Sequence, residues 1–141
     1  MQKLISFARD VVPSEKSVIF MFHTDINEVS SEYKVKTIGK LLDDKYTPLG
    51  VTAIALFTDV VISEKDGNKF SFITNRSVGD NGIVIPAKSP DGMFPQTKIP
   101  NDMQYVIDCM NAYYDGLDTP PIPEYYENKD VENVDEIVDN E

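Results

Sequence analysis

Apolar positions along this chain follow two periods. Leu4, Phe7, Ala8, Val11 and Val12 recur at helical spacing until Pro13 stops them, which predicts a short amphipathic helix over residues 2–12 with one face to bury. After the polar PSEKS turn, VIFMF (Val18 to Phe22) is a continuous apolar run, the pattern of a central strand covered on both faces. It ends abruptly in His23-Thr24-Asp25. Polar side chains therefore gather at the carboxyl end of a buried strand, where ligand sites of open α/β sheets lie.

Residues 27–36 (NEVSSEYKVK) are polar without a clear period and predict a mobile loop that ends at Thr37, a cap for the short helix IGKLLDDK. VTAIALFTDVVIS (Val51 to Ser63) is β-rich, EKDGN turns, and KFSFITNR (Lys69 to Arg76) returns, so an antiparallel hairpin is expected. SVGDNG gives another turn, IVIPAK a third extended piece, and SPDGMFPQTKIP an irregular loop. Asn101, with Gln104 three residues on, suggests a capping box opening a helix whose face is Met103, Val106, Ile107, Met110, Tyr113 and Tyr114. Gly116 stops it. From Leu117 the three prolines, dense acids and lack of a packable period predict disorder.

The charge changes this picture in one respect. The net charge is −11, but Asp115 to Glu141 holds ten of the 24 acids and one of the 13 bases, so the rest of the chain is close to neutral. A near-neutral body with an acidic tail is a different object from a uniformly acidic fold. At 141 residues one compact unit is expected, residues 1–116, followed by the tail 117–141. One Cys109 and one His23 exclude an intrachain disulfide and a zinc finger, and Cys109 reads as a small core residue. The first sixteen residues lack the apolar core of a secretory signal, and no run approaches a membrane span. A cytoplasmic chain without membrane contact is expected.

Candidate chemistry is sparse. No GxxxxGK[ST] or GxGxxG occurs, so no phosphate cradle is encoded here, and there is no catalytic triad. His23 at a strand end suits either sensing of a bound anion or capping of the sheet edge, and side-chain chemistry alone favours the cap. Asp25 and Asp59 each follow an apolar strand and read as solvated strand ends more readily than as metal-holding acids. Lys34, Lys36, Lys40 and Lys45 surround the polar loop and short helix, where they suit phosphate contact or a solvated face balanced by Glu32, Asp43 and Asp44. Lys88, before a Pro/Gly turn, is placed to aim an ammonium at an anion.

Taken in order, VIFMFHT, KVKTIGKLLDDK, FITN, AKSPDGMF and IPNDMQYVIDCMNAYY resemble the C-terminal half of phage-encoded RecA-like P-loop ATPases, the AAA or NTP-binding proteins of phage DNA recombination and single-strand annealing. The resemblance covers about residues 1–115. It implies a partial RecA-like α/β sheet with a C-terminal antiparallel hairpin and flanking helices, without the P-loop half. It further implies that His23 is the strand-end residue near the γ-phosphate and that Lys88 faces a nucleotide, in trans, in an oligomer. Lys34, Lys36 and Lys40 then fall on a DNA-facing loop region. ATP and Mg would bind only if a P-loop half or a full-length homologue completes the site, so no activity is expected alone. Single-stranded DNA is an implied partner. A reading of a different class is a non-enzymatic acidic regulatory protein whose tail acts on a replication or DNA-binding partner.

Overall fold

The computed structural model describes residues 2–13, 16–36, 48–62 and 67–127. Helix α1 (Gln2–Val11) stops before Pro13 as its spacing requires. Strands β1 (Thr24–Asn27) and β2 (Glu32–Val35) form an antiparallel hairpin in which Thr24 faces Val35 and Asn27 faces Glu32. The single turn α2 (Pro48–Val51) leads to β3 (Phe57–Val61), which pairs with β4 (Lys69–Ile73). Short strands β5 (Ser77–Val78) and β6 (Val84–Ile85) flank a tight turn in which Gly82 takes a φ of 75°. Strand β7 (Lys98–Pro100), helix α3 (Met103–Asp115) and the turn α4 (Glu124–Glu127) complete the chain.

The result is a mixed α/β fold with two small sheets. One has the order β1-β2-β6-β5 and the other β3-β4-β7. Every pairing is antiparallel except β2 with β6. A cluster of Ile73, Ile85 and Ala87 with Tyr33 and Phe57 joins the two sheets, and the Tyr33 and Phe57 rings lie 4.8 Å apart. The larger core lies beneath α3, where Met93, Phe94, Ile99, Tyr105, Val106 and Cys109 pack with Ile54, Leu56, Phe72 and Ile122.

Several expectations change. Val18 to Phe22 is not a covered central strand: it belongs to no ladder among the described residues, and Val18, Ile19 and Met21 are 47 %, 53 % and 90 % exposed. A uniformly apolar run asks for neighbours on both faces, and the described chain covers only Phe20 and Phe22 in part. Phe7 and Val11 of α1 are likewise more than half exposed. Residues 27–36, read as a loop, instead hold the end of β1, the turn and β2, with Tyr33 and Val35 half-buried on either side of the exposed Lys34. The short helix expected after Thr37 lies outside the described residues, and so do Lys40 and Lys45.

Helix α3 starts one residue later than expected. Asn101 still belongs to the strand side, since its N–H donates to the Phe70 carbonyl at 3.4 Å. Asp102 is therefore the cap, its carboxylate accepting from the Gln104 and Tyr105 N–H groups at 2.8 and 3.3 Å. The Gln104 side chain reaches forward to Asp108 instead of back. The buried stripe runs through Tyr105, Val106, Cys109 and Ala112, while Tyr113 and Tyr114 stay outside. Gly116 ends the helix at φ 69°, as its sequence suggests.

The irregular SPDGMFPQTKIP segment carries β7 and supplies Met93 and Ile99, which have no exposed surface. The chain after Leu117, expected to be disordered, instead packs back as far as Glu127. Thr119 donates to the Gly92 carbonyl at 3.2 Å, the Tyr105 hydroxyl donates to the Pro120 carbonyl at 3.0 Å, and Ile122 joins the main core. Tyr126 is buried with its hydroxyl 2.9 Å from Ser71 Oγ. Two tyrosines and an isoleucine thus outweigh the prolines and acids around them. No helix among the described residues is long and apolar enough to cross a membrane.

Candidate functional site

The β1–β2 hairpin gathers four of the residues singled out in the sequence. The Lys36 N–H donates to the His23 carbonyl at 2.8 Å, extending the ladder by one pair beyond Thr24 and Val35. Asp25 faces Lys34 and Asn27 faces Glu32. Side chains alternate along strands and paired positions share a face, so His23, Asp25, Lys34 and Lys36 stand together on the side opposite Tyr33 and Val35. His23, Asp25, Lys34 and Lys36 are all exposed. His23 is therefore not a cap on a buried strand.

The charge on this face is nearly balanced by Asp25 and Glu32, but Glu32 is engaged elsewhere. The Arg76 guanidinium donates to it at 2.7 Å. Arg76 thus joins Lys34 and Lys36 as a cation beside the hairpin. The turn is fixed locally by Asn27 Oδ1 accepting from the Val29 N–H at 3.1 Å, and from a distance by the Ser31 carbonyl accepting from the Val84 N–H on β6 at 2.9 Å.

Lys88 occupies a different element. Its backbone makes both hydrogen bonds of an isolated bridge with Ala55, at 2.8 and 2.9 Å, while Ala87 before it is buried between the sheets. Beside it, Asn75 Oδ1 accepts from both the N–H and the hydroxyl of Ser89, each at 3.3 Å. Two strings far apart in the sequence, FITN and AKSPDGMF, are thereby clamped together, with Thr74 fully buried and donating to the Gln96 and Thr97 carbonyls. Lys88 is thus held by its backbone. Asp59, weighed as a metal-holding acid, instead pairs with Lys98 at 2.9 Å, and that carboxylate holds the Lys98 ammonium above its ordinary range against the opposing effect of burial. Cys109 is fully buried, and burial pushes its thiol up, which leaves it inert.

No family model, characterised protein or solved structure matches this chain. The site is therefore read from its own geometry.

One polar centre has no counterpart in the sequence reading. Asp102 caps α3 through one carboxylate oxygen and accepts from the Tyr125 hydroxyl, 2.8 Å away, through the other. That hydroxyl and the Tyr105 and Gln104 N–H groups hold the Asp102 carboxyl below its usual range. Because the folded value lies below the unfolded one, the stabilisation is complete above the ordinary carboxylate range and is lost as pH falls through the folded value. Asp102→Ala is expected to cost about 0.5–2 kcal/mol near neutral pH. Urea midpoints compared at falling pH should show the gap to the parent protein closing in acid. The available signal was a tyrosine pair inside a proline-rich acidic stretch, a composition that does not need large aromatics unless they dock.

Proposed function

We propose that this chain is the rear portion of a RecA-like ATPase of phage type, truncated or split, that serves DNA recombination or replication as part of an oligomer. A P-loop-bearing half or a full-length homologue supplies the phosphate cradle. The observation that carries this reading is the apolar surface of the first 22 residues: Phe7, Val11, Val18, Ile19 and Met21 are exposed and extend straight into His23. An apolar run of that composition suits a strand that lies between others. In the proposed assembly the partner's sheet covers it and His23 arrives at the nucleotide end.

The face carrying Lys34 and Lys36, with Arg76 beside it, is the part turned to single-stranded DNA. Lys88, braced by the Ala55 bridge, is the cation offered to a neighbour's nucleotide. Phosphoryl transfer depends largely on positioning and on stabilising charge, so a cation can act from a second chain. This sequence contains no GxxxxGK[ST], the loop that would cradle the phosphates of ATP with its Mg. Both belong to the partner in this reading. The purified chain should release phosphate from ATP no faster than buffer does. Turnover that disappears in Lys88→Ala would overturn the split-motor proposal.

A further inference from the structure

Asn81 and Gly82 form the single Asn-Gly pair in the sequence, and both are exposed in the turn between β5 and β6. The Gly82 N–H donates to the Gly79 carbonyl at 2.9 Å and the Gly79 N–H to the Ile83 carbonyl at 3.0 Å, with Gly82 left-handed, which closes the short hairpin. The Asn81 carboxamide is held at both ends. Its Oδ1 accepts from the Ile83 N–H at 3.0 Å, and its Nδ2 donates to the Tyr33 hydroxyl on β2 at 2.9 Å. It also folds over Gly79, where a Cβ would stand 3.0 Å from Oδ1.

An asparagine followed by glycine carries its own nucleophile, because no Cβ shields the next backbone nitrogen. Once hydroxide takes the Gly82 amide proton, that nitrogen bonds to Asn81 Cγ while the Cγ–Nδ2 bond breaks and Nδ2 leaves as ammonia, protonated by water. Water then opens the cyclic imide at either carbonyl and gives aspartate or isoaspartate, so water is the one co-reactant. In the folded chain the first step is opposed. The Gly82 proton is engaged by the Gly79 carbonyl, and the carboxamide must leave Tyr33 and Ile83 before Cγ faces the nitrogen.

We infer that Asn81 is the deamidation site of this chain and that the Tyr33 hydroxyl is the latch that sets its rate. The two products differ in structure. Aspartate keeps both contacts, accepting from the Ile83 N–H and from the Tyr33 hydroxyl, whereas isoaspartate routes the backbone through Cβ and no longer closes the same turn. Val84, which pairs with Glu32 and donates to the Ser31 carbonyl, then loses its register, so conversion uncouples β6 from the β1–β2 hairpin. The inference stands apart from the split-motor reading, because it needs no second chain.

The test incubates the folded full chain in mildly alkaline buffer and follows the tryptic peptide from Ser77 to Lys88, in which Asn81 is the single amide side chain. The mass gained when amide becomes acid should accumulate there before it does in peptides carrying Asn75, Asn101 or Asn111. Methylation by an isoaspartyl methyltransferase separates the two products. Tyr33→Phe keeps the ring against Phe57 and removes the latch, and it is expected to speed conversion about three- to tenfold, the worth of one hydrogen bond, in a chain that stays folded. Gly79→Ala, which crowds Oδ1, should act in the same direction. In urea strong enough to unfold the chain, parent and both variants should convert at one faster rate. Equal rates for folded parent and folded variants would overturn the latch, as would a folded parent that converts as fast as the unfolded one. Earlier conversion at another asparagine would overturn the site.

Discussion

Ending the chain at Gly116 is expected to lower its stability by about 3–5 kcal/mol, the range for losing a large buried aromatic group. The segment from Leu117 to Glu127 closes over two surfaces at once. Ile122 packs into the core beneath α3, and Tyr126 is buried against β4 beside Ser71, which has no exposed surface. Truncation also takes the Pro120 carbonyl from the Tyr105 hydroxyl, which burial already holds in its neutral form. Urea unfolding of chains ending at Gly116, at Glu127 and at Glu141 checks this. The loss should fall between the first and second of these. Tyr126→Phe, which keeps the ring and removes the bond to Ser71, should cost about 1 kcal/mol. Coincident midpoints for chains ending at 116 and 127 would mean that these contacts contribute nothing.

The parts of the fold legible in the sequence were those decided within a few residues. Helix α1 and its stop at Pro13, the β3–β4 pairing and the left-handed Gly116 all follow from local spacing or backbone freedom. What escaped depended on neighbours distant in sequence. Asn101 and Asp102 are equally good caps, and the choice is made by a hydrogen bond from Asn101 to Phe70 on another strand. The β1–β2 hairpin is only four residues a side, too short for alternation to stand out, although Tyr33 and Val35 carry it.

The candidate site divides in the same way. His23 lies apart in sequence from the Lys34 and Lys36 set, and the register of one hairpin places all three on a common face. Arg76 carries no local signal, because its approach to Glu32 spans 44 residues. The clamp of Ser89 by Asn75 likewise joins side chains 14 residues apart, with no local pattern to mark it. Asp102 and Tyr125 lay in segments assigned to a helix start and to disorder, and only folding brings them within hydrogen-bonding distance.

Met21→Asp distinguishes an exposed docking strand from a covered one with the largest contrast available. Were Val18 to Phe22 a central strand of this chain's own sheet, an unpaired carboxylate at Met21 would cost several kcal/mol, since a buried charge without a partner is among the most damaging of substitutions. With Met21 almost wholly exposed, the expected change in unfolding free energy is within about 0.5 kcal/mol. The effect should appear in association instead. An extended apolar strip without a partner promotes strand addition and clumping, which a single charge on the strip opposes. Sedimentation of the parent should show a concentration-dependent increase in mass that Met21→Asp suppresses at unchanged melting temperature. A P-loop-bearing partner that co-purifies with the parent should likewise be lost from the variant, because a carboxylate would then face the interior of the shared sheet. A variant that unfolds instead would place the strip inside this chain's own core and remove the main support for a second polypeptide.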